Sequence, residues 1–479
     1  MRKQGFIESN IWVTLANVFT SLKGVILVPI LINTFGKDIY GSFVLLGNVS
    51  IMLFQLSSFG IGYKYKRYLP SVLNVKRKNS LYYTQFFFHL FALFLFISLF
   101  IAFSDEININ LLKINAKYNL FLYTAYTFSI LLFNQSTNYF RLTHRIRFFA
   151  INQILLQVIS LALIILISKV ALYRSLNVIF VVYTIVAFVL SFVNSLKIIT
   201  EIGLSFPDFK LKRIISDIRL GYPLVLYYIM DFTLGSSDRF IIAYFLGSTA
   251  ISYYNPAYIL GALITIVPRT FSVVLQPFLS KQFDESKEGL KFVKAEQSLE
   301  IYLLFAIPFV VGTVFFAKPI IAILANNEIA NASYFLTPIV ALGILFFGIN
   351  NIFSTIYFVR NKTQLILWYN GLSFLLNVTI NIVFISIYRN IIVAAISTLI
   401  SYFVSFVIFY FNIRKSTKIQ IDRLLIVKIL LASGFMSLFI LGLNHFFDKL
   451  FLLKILSSIF VYFAFIIFFK VFKNLKVFN

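Results

Sequence analysis

Seven charged side chains stand more than two residues inside the long apolar stretches of this chain: Lys23, Asp231, Asp238, Arg239, Arg269, Lys428 and Lys454. A charge at the centre of a bilayer costs about 2.5 to 3.5 kcal/mol, so each must find a partner, a water-filled cavity or the headgroup layer. Lys23 lies midway along the first stretch with Asn17, Ser21 and Gly24, and no acid stands beside it. Two readings are open for it: an ion pair with a carboxylate on another helix, or a cavity lysine that meets an anionic substrate. Arg269, beside Pro268 in the eighth stretch, has a planar fork that fits a phosphate with two parallel hydrogen bonds. Asp231 and Asp238 are seven residues apart, hence on one helical face, and Arg239 follows directly. Asp238 and Arg239 are expected either to pair or to take part in ion coupling. Asp231, deeper and without a cation within a turn, is the better candidate for a proton- or cation-responsive group. Lys428 and Lys454 sit near the ends of their stretches and are expected to reach the headgroups along their flexible stems.

The elements that carry these groups follow from length and hydropathy. A helix needs roughly 20 apolar residues to cross about 30 Å of hydrocarbon. Fourteen such stretches occur, at about 11–33, 41–62, 81–103, 118–140, 148–168, 176–196, 220–246, 253–280, 299–317, 334–358, 364–387, 391–411, 424–443 and 450–469. The fold class is therefore an all-α integral membrane protein of about 14 transmembrane helices. With both termini placed in the cytoplasm, the inner segments hold 29 of the 42 Lys and Arg residues, the outer loops 8 and the spans 5. That asymmetry is what the positive-inside rule requires. The formal charge of +25 is then a basic inner face beside anionic membrane lipids, and no nucleic-acid partner is expected. The first stretch lacks a small-residue cleavage pattern and should act as a signal anchor.

Composition removes several function classes. With 60% apolar residues and 12% charged and a mean hydropathy of +0.90, no segment is long enough for a soluble domain. The absence of Cys excludes disulfides, thiolate metal sites and thiol catalysis. The three His residues fall in different segments, so no metal site is expected. No Gly-rich phosphate loop of the Walker type occurs, which argues against ATP hydrolysis. No acid-base constellation of the kind enzymes use is present either, so the chain is not expected to be an enzyme.

The junction of the first two spans, Phe35-Gly36-Lys37-Asp38-Ile39-Tyr40-Gly41, is echoed by Leu246-Gly247-Ser248-Thr249-Ala250-Ile251-Ser252-Tyr253 at an offset of 211 residues. Each copy is a short Gly-containing turn after an inside-to-outside helix. Parallel repeats follow, with residues 1–197 as an N-terminal six-helix bundle, 198–413 as a second six-helix bundle and 414–479 as two additional helices. Prolines at Pro29, Pro256, Pro268 and Pro277 are expected to kink their helices.

The same residues carry a resemblance. Asn17 through Pro29 into Phe35-Gly36 and Tyr40-Gly41, then Gly221-Tyr222-Pro223-Leu224, Ser237-Asp238-Arg239-Phe240-Ile241-Ile242, Leu246-Gly247, Tyr253-Tyr254-Asn255 and Gln276-Pro277-Phe278-Leu279-Ser280 resemble the motif series of Wzx-type O-antigen flippases. These form the polysaccharide-transport branch of the MOP superfamily, which also holds the MATE exporters and the lipid II flippase. The resemblance implies a MATE-like fold in a bacterial inner membrane. The implied activity is alternating-access movement of undecaprenyl-pyrophosphate-linked oligosaccharide units, of O-antigen or capsule type, from the cytoplasmic to the periplasmic leaflet.

On that reading Lys23 and Arg269 would contact the diphosphate, and Asn17, Gln55, Gln153, Gln157, Asn350 and Asn370, with Asn48 and Asn351, could hydrogen-bond sugar hydroxyls. Any of these amides could instead bond helix to helix. No cofactor is expected beyond H+ or Na+ coupling, and a polysaccharide polymerase and a chain-length regulator are candidate partners. Two alternatives stand beside it: a MATE-like antiporter of organic cations, for which cavity acids should outnumber bases, and a membrane-embedded polymerase, for which the outer loops are short.

Overall fold

Among the described residues, fourteen helices of 13 residues or more follow one another along the chain, each placed where an apolar stretch puts it. The computed structural model describes residues 6–59, 62, 65, 68–206, 211–268, 293–360, 362–417, 422–446 and 451–471; within 211–234 most side chains also lie outside the description. The helices are α1 (Phe6–Ile30), α2 (Lys37–Ser57), α3 (Val75–Ala102), α4 (Leu120–Leu142), α5 (Ile146–Ser168), α6 (Leu176–Ile202) and α7 (Leu211–Leu246). They continue as α8 (Ala250–Ala262), α9 (Val293–Leu324), α10 (Leu336–Val359), α11 (Thr363–Tyr388), α12 (Ile392–Thr417), α13 (Arg423–Phe446) and α14 (Phe451–Phe468). Of the described helices, 12 meet the length and apolarity needed to cross a membrane. The protein is all-α, and large apolar side chains such as Leu99, Phe192, Phe460 and Phe468 are exposed along the helices, as a hydrocarbon solvent demands.

The chain divides into two compact units, Met1–Ser252 and Tyr253–Asn479. In the first, α4 packs along α6, α1 along α5, and α2 against α7. Its interior holds an aromatic cluster of Tyr65, Tyr82, Tyr83, Tyr139 and Phe140, whose offset and edge-to-face rings favour contact at centroid separations of about 4.5 to 7 Å. A buried amide and imidazole chain crosses three helices. His89 on α3 donates from Nε2 to the Phe54 carbonyl at 3.0 Å, accepts at Nδ1 from Gln135 on α4, and Gln85 donates to the Gln135 carbonyl oxygen at 3.2 Å. At the basic ends of these helices the charges lie over rings: Arg147 over Trp12 at 5.2 Å, Lys197 over Phe148 at 4.0 Å, and Arg145 over Phe140 at 4.9 Å while paired with Glu201.

In the second unit α10 packs against both α9 and α12, α11 against α12, and α13 and α14 against α9. Small residues permit the closest approaches. A Cβ on Gly348 would overlap the Tyr302 ring, and one on Gly343 would lie 3.1 Å from the Leu399 backbone, the small-residue packing that membranes favour. Asn377, Asn381 and Ser397 close a network between α11 and α12, with Ser397 donating to the Asn381 amide oxygen at 2.6 Å and Asn381 to that of Asn377 at 3.1 Å.

Helical geometry changes beside two of the expected prolines, Pro29 and Pro268, whereas Pro256 lies within the α-helix Ala250–Ala262. α1 carries Pro29 and passes directly into a π-helical turn, Leu31–Phe35, before Gly36 at φ +99°. α8 loses α-geometry at a 3-10 turn over Leu263–Thr265, immediately ahead of Pro268, whose ring and missing N–H exclude a regular bond to residue 264. Pro277 lies outside the described residues. Lys428 is half-buried on α13. One expectation is corrected: Lys454 does not reach for the headgroups but is buried at 7% exposure. It falls in the inward stripe Lys454, Ser458, Tyr462 and Ile466 of α14, where a four-residue spacing fixes the side chain on the packed face.

Candidate functional site

The candidate site is centred on Lys23, held by α1 against α6. Its ammonium lies over the Tyr183 ring, 4.6 Å from the centroid, and among the described residues no carboxylate comes within ion-pair distance. Tyr183 belongs to an aromatic wall from three helices. Phe43 of α2 stacks on it with centroids 6.0 Å apart, Tyr126 of α4 meets it edge-on at 6.0 Å, and Phe180 stacks on Tyr126 at 5.2 Å. The wall exists because α4, α6 and α2 each point an aromatic residue toward the same interior.

Magnitudes indicate what this arrangement can do. A desolvated cation–π contact contributes about 2 kcal/mol, against an insertion cost of about 2.5 to 3.5 kcal/mol for a lysine at mid-membrane. The ring thus offsets most but not all of the cost, and it holds the ammonium in place without neutralising it. Lys23 is half-buried, and the ring leaves its charge uncompensated by any carboxylate among the described residues. Of the two readings from sequence, the described residues favour the lysine without a carboxylate.

Orphaned polar atoms accompany it in the same unit. The hydroxyls of Tyr183 and Thr184 and the amide oxygens of Gln55 and Gln157 are buried and make no hydrogen bond among the described residues. Unpaired groups in a dry interior are costly, so they mark places where a hydrogen-bonding guest would be stabilised. Gln153 is half-buried one turn before Gln157 on α5, and Asn17 is exposed on α1. Asn48 is spent within its own helix, donating to Val44 O at 3.0 Å.

The remaining candidate residues have surroundings of their own or fall outside the described residues. Asp238 and Arg239 form a buried ion pair at 3.1 Å, with Arg239 Nη1 also donating to Gly235 O at 2.7 Å. Asp231 lies on α7, but its side chain is outside the described residues, as is the whole of Arg269. In the second unit Asn350 donates from α10 to Tyr402 O of α12 at 3.3 Å, a helix-to-helix bond; Asn351 and Asn370 are half-buried. Sequence reasoning missed Tyr183 and the aromatic wall, since among 27 Tyr and 59 Phe residues nothing local distinguishes the ring beneath a lysine. A polar-tipped aromatic mid-span, opposite an unpaired lysine, was the available signal.

Known proteins share this architecture. The sequence model described as "MurJ: Lipid II flippase MurJ" matches residues 78–462, well over half of the chain. No protein with a curated description matches by sequence. The solved structure of the lipid II flippase MurJ in an inward closed conformation superposes with a TM-score of 0.75 at 20% identity, covering 97% of this chain and 99% of that one. An inward-facing multidrug resistance MATE family transporter of the MOP superfamily gives 0.61 at 12% identity, over 84% of this chain and 94% of that one. The MATE multidrug transporter DinF-BH gives 0.58 at 14% identity, over 85% of this chain and 94% of that one. At these identities the structural likeness establishes the fold alone, the helical architecture these transporters share.

Proposed function

Because the chain belongs to the lipid II flippase MurJ family, we propose that it moves a lipid-linked saccharide from the cytoplasmic to the periplasmic leaflet of a bacterial inner membrane by alternating access. The observation that carries this reading is the half-buried Lys23 on its aromatic wall, with no carboxylate beside it among the described residues. An exporter of organic cations would be poorly served by a cation at that position, whereas a diphosphate-bearing head group would meet a complementary charge.

The cargo has a long apolar tail and a polar, anionic head. Only the head needs shelter from hydrocarbon, so a polar bundle interior suffices while the tail stays in lipid. Lys23 would neutralise one charge of the diphosphate, and the orphaned Gln55 and Gln157 oxygens and the Tyr183 and Thr184 hydroxyls would take hydrogen bonds from the head. Arg269 is proposed as a second diphosphate contact and Asp231 as the coupling group. Asp238 and Arg239, already paired to each other, are assigned a structural role. Two six-helix repeats, 1–197 and 198–413, with both termini in the cytoplasm, complete the proposed architecture.

Two cargos fit. The family match favours lipid II, and the motif series around Ser237-Asp238-Arg239 and Gln276-Pro277 favours an O-antigen or capsule repeat unit. Complementation separates them. The chain is expressed in one strain depleted of its lipid II flippase and in another lacking its O-antigen flippase, and growth and surface polysaccharide are scored. Rescue of growth alone assigns lipid II, and restored polysaccharide alone assigns the repeat unit, with the polymerase and chain-length regulator as partners. Rescue of neither, with membrane insertion verified, rejects the flippase reading in favour of cation export, read by an efflux assay.

A further inference from the structure

We propose that His89 is a proton-binding site inside the first unit, and that the Gln135 and Gln85 amides beside it reverse when the imidazole is charged. The site stands on its own contacts and not on the flippase reading, to which it would add a proton step.

An ionisable side chain midway along a transmembrane helix is costly unless it is matched or used. His89, midway along α3, is buried together with Gln135 and Gln85, and each neighbour fixes the role of the next polar atom. A carbonyl can only accept, so the bond to Phe54 O at 3.0 Å puts a proton on Nε2. The neutral ring then keeps a lone pair at Nδ1, which must face the Gln135 NH2. That turns the Gln135 oxygen toward Gln85, which donates to it at 3.2 Å. The chain ends on the Gln85 oxygen, buried and without a partner among the described residues. Bonds that merely join helices have no use for an unpaired acceptor at their end.

A second proton, on Nδ1, inverts every bond between these side chains. The imidazolium donates at both nitrogens, so Gln135 must present its oxygen to the ring and its NH2 to Gln85, whose unpaired oxygen then accepts. Each amide needs only a half-turn about its last torsion, which is broad and roughly two-fold in Gln. A Cβ on Gly62 would make an ordinary contact with the Gln85 nitrogen at 3.5 Å, so the half-turn meets no tight neighbour there. At Gln85 an unpaired donor replaces an unpaired acceptor. At His89 a neutral bond becomes a charge-assisted one, roughly twice as strong.

The other side of the ring favours the charge as well. Phe54 lies in the last turn of α2, where carbonyls lack helical partners. Ser58 N turns to Gln55 O at 3.3 Å, which leaves Phe54 O to the Ser57 hydroxyl at 3.0 Å and to His89. The negative end of the helix dipole thus stands against Nε2 and stabilises a cation. Fixed charges on α3 and on the helices packed against it, α2, α4 and α6, gather toward the helix ends. Lys37 and Asp38 open α2, and Lys76, Arg77 and Lys78 open α3. Arg141 follows Gln135 by about 9 Å along α4; on α6, Lys197 lies over Phe148 and Glu201 is paired with Arg145. Lys64, Lys66 and Arg67, between α2 and α3, lie outside the described residues. The tyrosines of the adjoining cluster, Tyr65, Tyr82, Tyr83 and Tyr139, carry no charge in the range where an imidazole titrates.

The chain has three histidines. His144→Asn, at an exposed position with φ +61° that Asn tolerates, and His445→Gln leave His89 as the single imidazole. The full chain with isotope-labelled His and Gln is purified into lipid nanodiscs, and its side-chain nitrogen resonances are followed by solid-state NMR from about pH 8 to 5. The expected result is one Nε2–H tautomer at high pH that passes in a single step to a doubly protonated ring, with the Gln135 amide shifting at the same midpoint. Gln85→Met keeps the volume, removes the last acceptor and should lower that midpoint by about 0.5 to 1 pH unit. A ring that stays neutral throughout, or a midpoint unmoved by Gln85→Met, overturns the site; should the Met variant fail to assemble, the titration of the parent chain decides. In proteoliposomes His89→Gln, which can donate to Phe54 O and accept from Gln135 but binds no proton, should flatten the pH dependence of transport. An unchanged pH profile in that variant overturns the proton step. A parent chain that transports at no pH overturns the flippase reading instead and leaves the NMR titration to decide the site.

Discussion

Lys23 stands mid-helix with a ring beneath it in the place of a counter-ion. Lys23→Gln should keep or raise membrane abundance, since the insertion cost of about 2.5 to 3.5 kcal/mol disappears. Transport should fall at least about tenfold if the ammonium meets the head in the transition between leaflets. Lys23→Arg retains the charge and should retain most of the activity. A flux assay in proteoliposomes at matched protein levels reads these outcomes; full activity of the Gln variant removes Lys23 from the mechanism. Tyr183 separates two further contributions. Tyr183→Phe keeps the ring over which Lys23 lies and deletes only a hydroxyl without a partner among the described residues, so it tests sugar hydrogen bonding alone. Tyr183→Leu removes the ring, frees the ammonium to wander, and should approach the Lys23→Gln loss. Equal activity for Phe and Leu would show that the ring does not position the lysine.

At the scale of elements, close helix approach is set by a few glycines. Gly348→Ala places a methyl against Tyr302, whose hydroxyl is fixed to Ile344 O at 3.1 Å, so the ring cannot swing away without losing that bond. The cost should be about 1 to 3 kcal/mol, read as a lower unfolding temperature of the detergent-solubilised chain, with Gly24→Ala as the unaffected control. How legible these elements are in the sequence follows from what kind of information fixes them. Helix positions come from hydropathy, a local property, and each of the fourteen stretches holds a helix within its described residues. The seventh extends back to Leu211 because polar turns such as Lys212 and Arg213 continue a helix beyond the hydrocarbon. Pairing between helices is non-local. Nothing in the spacing of Gln85, His89 and Gln135 announces a chain of hydrogen bonds, nor does Asn377 announce Ser397. The expectation for Lys454 fails for the same reason, since distance from a helix end predicts reach to the surface only when the side chain faces lipid. Asn350 reads from sequence as polar and interior, but its bond to Tyr402 O depends on a partner 52 positions away.

For the whole molecule the quantity to establish is which way it sits in the membrane, because the cargo argument depends on it. Of 42 basic residues, 29 fall on one set of segments and 8 on the other. Each Lys or Arg near an anionic leaflet contributes about 1 kcal/mol, so the excess outweighs any single helix that would prefer the opposite sense. In the described part, that face gathers Arg141, Arg145, Arg147 and Lys197, three of them lying over rings at the helix ends, with Lys197 over Phe148 as well. Aromatic residues anchor at the interface and fix the depth at which those charges stop. Two exposed lysines on opposite sides give the test: Lys76 at the start of α3 and Lys117 just before α4. With the N-terminus inside, a membrane-impermeant maleimide added to spheroplasts should label Lys117→Cys and spare Lys76→Cys until the membrane is opened. The reverse pattern would turn the protein over, place the Gly36 and Gly247 turns in the cytoplasm, and require the cargo to be drawn inward. Because neither substitution touches Lys23 or these turns, the topology it reports is that of the functioning chain.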